Sequence, residues 1–141
     1  MTSSEEQSKK EPDMKKMLIE YIEVLNSGGF LEGINSEDLG SSNIRNMGNV
    51  ALNCECYKEF RLYMQYKKTK IKGWKIKKGD KALADIVIEQ LDKIYDSCKQ
   101  DDEEALKWIS LYFGYFYWKK ASIEGEKQAQ KTRNGGDKRG R

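Results

Sequence analysis

The sequence predicts an all-α fold: a single compact helical bundle of about five helices, flanked by a disordered polar N-terminal tail and a basic flexible C-terminal tail. Three observations predict it. The chain of 141 residues holds one proline. Strong helix formers dominate throughout. Apolar residues recur at three- and four-residue steps along several stretches, the helical period. The length suits one domain with a modest core. The expected boundaries are a tail over 1–13, a bundle over 14–124 and a tail over 125–141.

The first helix is expected from Asp13, a capping residue, with Met14, Met17, Leu18, Tyr21, Ile22 and Leu25 on its buried stripe. Asn26-Ser27-Gly28-Gly29 ends it. A loop from Phe30 to Gly40 follows, tacked onto the core by Phe30, Leu31, Ile34 and Leu39. Ser41-Ser42 are capping residues for a second helix, whose buried face is Ile44, Met47, Val50 and Ala51. Asn53-Cys54-Glu55-Cys56 breaks the chain. A third helix carries Tyr57, Phe60, Tyr63 and Met64, and should run to about Lys68 before dissolving into a flexible lysine-rich segment.

A fourth helix is expected to open at Asp80. Leu83, Ile86, Val87, Leu91, Ile94, Tyr95 and Cys98 give the cleanest amphipathic stripe in the chain. Asp101 or Asp102 caps the last helix, and Glu103 and Glu104 suit its first turn, where the helix dipole favours anions. From Ala105 to Trp118 this helix is apolar almost all round. Such a helix is central in its bundle or covered by a partner. Gly114 in its middle suggests a close helix crossing.

Composition excludes several functions. There is no histidine, so Ser-His-Asp and Cys-His catalysis and His-ligated metal sites are absent. No glycine-rich phosphate loop is present. The mean hydropathy of -0.86, with no long apolar run, predicts no contact with a membrane. The N-terminus has no apolar signal region, and three cysteines make an odd count. Both features predict a cytoplasmic protein with reduced thiols. No cofactor, metal or catalytic residue is expected. Asp85, Glu89, Asp92 and Asp96 share helical spacing, but a metal site would need a second acidic helix.

Net charge is +3, and it is segregated. Residues 57–81 hold ten basic and two acidic side chains; residues 82–104 hold two and eight; residues 125–141 hold six and two. Seven of the thirteen residues from Lys67 to Gly79 are lysine. Clustered lysines suit phosphate contact along a nucleic-acid backbone. The candidate RNA-binding residues are Arg45, Arg61, Lys67, Lys68, Lys70, Lys72, Lys75, Lys77 and Lys78, with Trp74 available to stack on a base. The alternative reading is a small cytosolic protein–protein adaptor, with the acidic helix docking a partner and the lysines serving solubility. A small metal-dependent enzyme is a third, weaker reading.

Ser41-Ser42-Asn43-Ile44-Arg45-Asn46-Met47 resembles a helix start found in the small subunits of type III CRISPR effector complexes, especially the Csm type. Those subunits carry Thr/Ser-Ser-x-Ile/Leu-Arg-x-apolar there. They also end in an aromatic, apolar helix followed by Lys or Arg, as in Leu111-Tyr112-Phe113-Gly114-Tyr115-Phe116-Tyr117-Trp118-Lys119-Lys120. The resemblance spans roughly 39–120. Tyr63 to Lys70 departs from it, since the family has an apolar Ala/Gly-containing stretch ending in Arg. The resemblance implies a non-catalytic helical subunit that stacks with copies of itself and with larger effector subunits. It further implies contact with guide RNA and target RNA through the backbone, in antiviral defence. Only Arg45 is carried over from the family as an RNA contact.

Overall fold

A computed structural model describes residues 3–33 and 39–139, with side chains described over 11–32 and 39–130. Ile34 lies outside them, as do the side chains of Lys131, Arg133, Lys138, Arg139 and Arg141. The elements in chain order are α1 (Ser3–Ser27), α2 (Phe30–Gly33), α3 (Ser41–Asn53) and α4 (Tyr57–Lys70), then a 3₁₀ turn (Lys72–Lys75) and the strands β1 (Lys77–Lys78) and β2 (Lys81–Ala82), and finally α5 (Leu83–Ser97) and α6 (Asp102–Arg139). The all-α class holds, with two two-residue strands as the exception.

The apolar stripes do what their spacing dictates. Leu18, Ile22 and Leu25 of α1, Ile44 and Met47 of α3, Phe60 and Met64 of α4, and Val87, Leu91 and Ile94 of α5 are all essentially inaccessible. They surround α6, whose Tyr112, Phe113 and Phe116 form the aromatic centre, with Ile109 buried one turn before them. The rings of Phe60 and Phe113 lie 5.7 Å apart, and those of Phe113 and Phe116 are stacked at 6.2 Å. The apolar run of the last helix is therefore mostly core, and Trp118, 67% exposed, is its outward exception.

One polar chain crosses this core. The Tyr112 hydroxyl donates to Gln90 Oε1 at 2.6 Å, and Gln90 Nε2 donates to the Tyr21 carbonyl at 3.0 Å. The Tyr112 hydroxyl and the Gln90 amide thereby keep partners in the core, and the chain ties α1, α5 and α6 together.

Several boundaries differ from the expected ones. The α1 helix begins at Ser3, not Asp13, because Glu, Gln and Lys are good helix formers. Pro12 lies inside it and leaves one carbonyl without its amide donor. Likewise α6 passes Gly125 and continues to Arg139, where the sequence suggests a flexible tail. Lys127 Nζ donates to the Glu32 carbonyl at 2.7 Å and holds this extension against α2.

The N-cap of α3 is Gly40, and neither Ser41 nor Ser42 supplies a capping bond. At α6 the expected cap is present: Asp101 Oδ1 accepts the Glu104 amide at 3.0 Å. Asp102 instead accepts the Tyr57 amide at 2.9 Å, so the start of α6 satisfies the start of α4.

Gly114 is not a crossing point, since a Cβ there would meet nothing within 4 Å. The close approach is at Gly48 of α3, where a Cβ would stand 3.1 Å from the Ser110 carbonyl oxygen of α6. Between α5 and α6 the Gln100 amide donates to the Tyr95 carbonyl and the Lys99 amide to the Asp96 carbonyl, both at 3.0 Å. This is the Schellman pattern, and it forces Lys99 to φ 55° without a glycine to absorb it.

Candidate nucleic-acid interface

The lysine-rich segment is ordered rather than flexible, and one residue accounts for that. Trp74, in the 3₁₀ turn, is fully buried, with its ring edge-on to Phe116 at 6.0 Å. Trp74 therefore cannot stack on a base, which corrects its assignment as an RNA contact. Its size and apolar surface are used to pin the segment to α6. The Nε1–H is enclosed without a hydrogen-bond partner.

Beyond Trp74 the chain turns back as a hairpin. Lys77 pairs with Ala82 and Lys78 with Lys81, antiparallel. Gly79 sits at φ 72° in the first of the two turn positions, as a II′-type hairpin requires. Because Lys81 and Ala82 are strand, α5 opens at Leu83 and not at Asp80; the Leu83 amide donates to the Ile76 carbonyl at 2.8 Å. The Lys78 side chain passes over Gly29, where the chain turns between α1 and α2 at φ 83°.

The helices α4 and α5 divide the basic residues into two populations. Arg61 and Lys68 are seven residues apart, two helical turns, so they share one flank of α4. That flank faces the carboxylates of α5. Arg61 Nε lies 3.0 Å from Asp92 Oδ1, its second nitrogen reaches Oδ2 at 3.3 Å, and the Tyr57 hydroxyl donates to the same carboxylate. Lys68 Nζ lies 2.8 Å from Asp85 Oδ1, and Lys81 Nζ lies 2.7 Å from Glu89 Oε1. Lys68 holds the Asp85 carboxyl below its ordinary value. Burial, then the bond to Asp92, raises the Tyr57 hydroxyl far above the usual phenol range. Three basic side chains of 57–81 are thus matched to carboxylates of the acidic block within one molecule.

The other flank of α4 is different. Lys67 Nζ stands 5.4 Å from the Tyr63 ring centroid, and Lys70 Nζ stands 5.7 Å from that of Tyr66. Tyr66 is 54% exposed and Leu62, one turn earlier, 66%. Lys72, Lys75, Lys77 and Lys78 continue this basic run along the 3₁₀ turn and hairpin, all solvent-exposed. None of these six lysines forms an ion pair with a described residue. The last turn of α4 also holds Lys67, Lys68 and Lys70 at the negative end of its dipole.

Arg45 stands apart on α3, exposed, with its guanidinium 5.5 Å from the ring centroid of Tyr117 on α6. Among the described residues no hydrogen bond or ion pair ties it to the lysine platform. The sequence reading did not single out Leu62 and Tyr66, which are exposed, and placed Tyr63 only on the stripe of its helix. The available signal was the pairing of Tyr63 with Lys67 and Tyr66 with Lys70, four residues apart.

A second surface feature lies between α1 and α6. Ile19, Ile22, Tyr115 and Trp118 line an apolar groove of about 290 Å³, edged by an ion pair of Lys119 with Glu23 at 3.3 Å. Cys54, Cys56 and Cys98 form no disulfide. Burial raises the Cys54 thiol, with Glu59 and Cys56 adding to it, which disfavours the reactive thiolate. Among the described residues no three Cys, Asp or Glu side chains gather as metal ligands, and no helix is long and apolar enough to cross a membrane. No family model, curated protein or solved structure matches this chain.

Proposed function

We propose that this protein is a non-catalytic, cytoplasmic RNA-binding subunit, a small subunit of a type III CRISPR effector complex. It grips the guide RNA and target RNA backbone without reading sequence. The observation that carries the reading is the set of lysines without an ion pair to a described residue, Lys67, Lys70, Lys72, Lys75, Lys77 and Lys78, held in place by the buried Trp74. Lysine ammonium groups are point charges that bind phosphate without the bidentate geometry that selects a base. Specificity then comes from guide pairing.

The assembly part of the proposal rests on the resemblance around Ser41–Met47 and on the apolar groove beside Trp118, which suits packing against larger subunits or another copy. Arg45 enters as an RNA contact on the resemblance alone, on a face of its own. The adaptor reading loses support because Asp85, Glu89 and Asp92 are engaged by Lys68, Lys81 and Arg61.

Filter binding of the full chain to a single-stranded RNA across a salt series tests the backbone reading. Binding should weaken steeply with salt and differ little between unrelated sequences. Salt-independent binding, or none at low salt, would reject it. Affinity purification from the native host tests the assembly reading, which expects a guide RNA and larger effector subunits to accompany the chain.

A further inference from the structure

We infer that Tyr66 is a stacking platform for an unpaired base, which makes an unpaired stretch of the bound RNA, rather than the guide–target duplex, the ligand of the lysine platform. The inference rests on the backbone-binding reading and adds a contact to it. Buried aromatic rings need no further account, but the ring of Tyr66 is more than half exposed in the midst of the basic run. Leu62, one turn earlier on the same flank, extends the apolar surface beside it. Tyr63 is half-buried, with its ring 5.9 Å from Phe60, so it braces this flank from the core side.

The cations are placed to hold the phosphates of a stacked nucleotide. Lys70 stands 5.7 Å from the Tyr66 ring centroid and Lys67 is the next residue along the chain. Lys72 and Lys75 continue the basic run past the C-terminal end of α4, both solvent-exposed. An aromatic face bordered by lysines is the combination used for single strands, because every base offers a π-face. A duplex keeps its bases stacked on each other and offers this ring only backbone. The same charge surrounding Leu62 and Tyr66 favours a polyanion over an apolar protein surface as their cover.

The test compares wild type, Tyr66→Ala and Tyr66→Phe for binding to a labelled single-stranded RNA, the same sequence as a duplex, and inorganic polyphosphate. Circular dichroism verifies the fold, and sedimentation gives the oligomeric state. Tyr66→Ala should weaken single-strand binding roughly 5- to 150-fold, the span for one stacked base, while Tyr66→Phe stays near wild type. Polyphosphate binding should be unchanged, and the duplex should bind less tightly than the single strand to wild type.

Equal losses for RNA and polyphosphate would overturn the stacking role. So would unchanged RNA binding by Tyr66→Ala. If that variant binds RNA normally but Lys70/Lys72/Lys75→Gln does not, stacking falls and the backbone reading stands. If neither variant affects binding, both fall. A changed oligomeric state with unchanged RNA binding would mark this face as a protein contact and reject the proposal.

Discussion

The two flanks of α4 carry the same residue types and end in different electrostatic states. On the flank facing α5, Arg61 and Lys68 are paired with Asp92 and Asp85. On the opposite flank, Lys67 and Lys70 lie beside tyrosine rings with no carboxylate partner among the described residues. A count of charges along the chain cannot distinguish them. Helical phase can: residues seven apart return to the same side, and an acidic helix packed there neutralises that side alone. Available charge, rather than total charge, marks a binding surface.

The largest expected effect sharpens the contrast between Trp74 and Tyr66, the two aromatics of the basic region. Trp74→Ala should destabilise the protein by roughly 3–5 kcal/mol, a large share of the 5–15 kcal/mol typical of a domain. Urea denaturation would measure it. Trp74→Phe keeps most of the packing and removes an enclosed N–H without a partner, so it should lose far less. A stable Trp74→Ala protein with weakened RNA binding would return Trp74 to the interface and break the contrast.

Next in size are the two glycines. Gly48→Ala forces a methyl group to 3.1 Å from the Ser110 carbonyl and should lower the melting temperature. Gly114→Ala meets open space and should raise stability by up to about 1 kcal/mol, the propensity gain over glycine in a helix. Equal responses would mean that the crossing of α3 on α6 is misplaced, and with it the core behind α4.

Smaller still is the loss of a spent cation. Arg61→Gln should cost under about 1 kcal/mol, since both partners of the pair are roughly two-fifths exposed and screened by solvent. Its affinity for RNA should stay that of wild type. A marked loss of affinity would show that the inner flank is available after all.

The smallest effect is pH-dependent. Lys68 depresses the Asp85 carboxyl in the folded state, so the pair's contribution is complete above the unfolded carboxyl's ordinary value. It is lost as pH falls through the depressed folded value. The melting temperature of wild type should therefore exceed that of Asp85→Asn at pH 6, and the difference should shrink below about pH 4. A difference independent of pH would mean that the ion pair is not formed.

Much of the fold was legible because it rests on periodic burial. The stripes of Leu18–Leu25, Ile44–Met47 and Leu83–Ile94 are core as their spacing requires. The ends of α1 and α6 were not legible, since a helix built of charged and polar residues has the composition of a tail. The hairpin at Gly79-Asp80 was missed because two-residue strands contain too few positions to show alternation. Gly114 misled because a glycine's role depends on the neighbouring helix, and the contact belongs to Gly48 instead. At the candidate site, Arg61, Lys68 and Trp74 were chosen for residue type, while their availability was set by Asp92, Asp85 and Phe116, distant in sequence.

The decisive measurement compares two variants with equal loss of charge, Lys72/Lys75/Lys77→Gln and Arg61/Lys68/Lys81→Gln. The salt dependence of single-stranded RNA binding is read for each against wild type. The first variant should lose about 2 from the slope of log affinity against log salt, at roughly 0.7 for each phosphate contact. The second should keep the wild-type slope. Equal losses in both, or no loss in either, would contradict the division of the basic residues of α4, the 3₁₀ turn and the hairpin into paired and available charge.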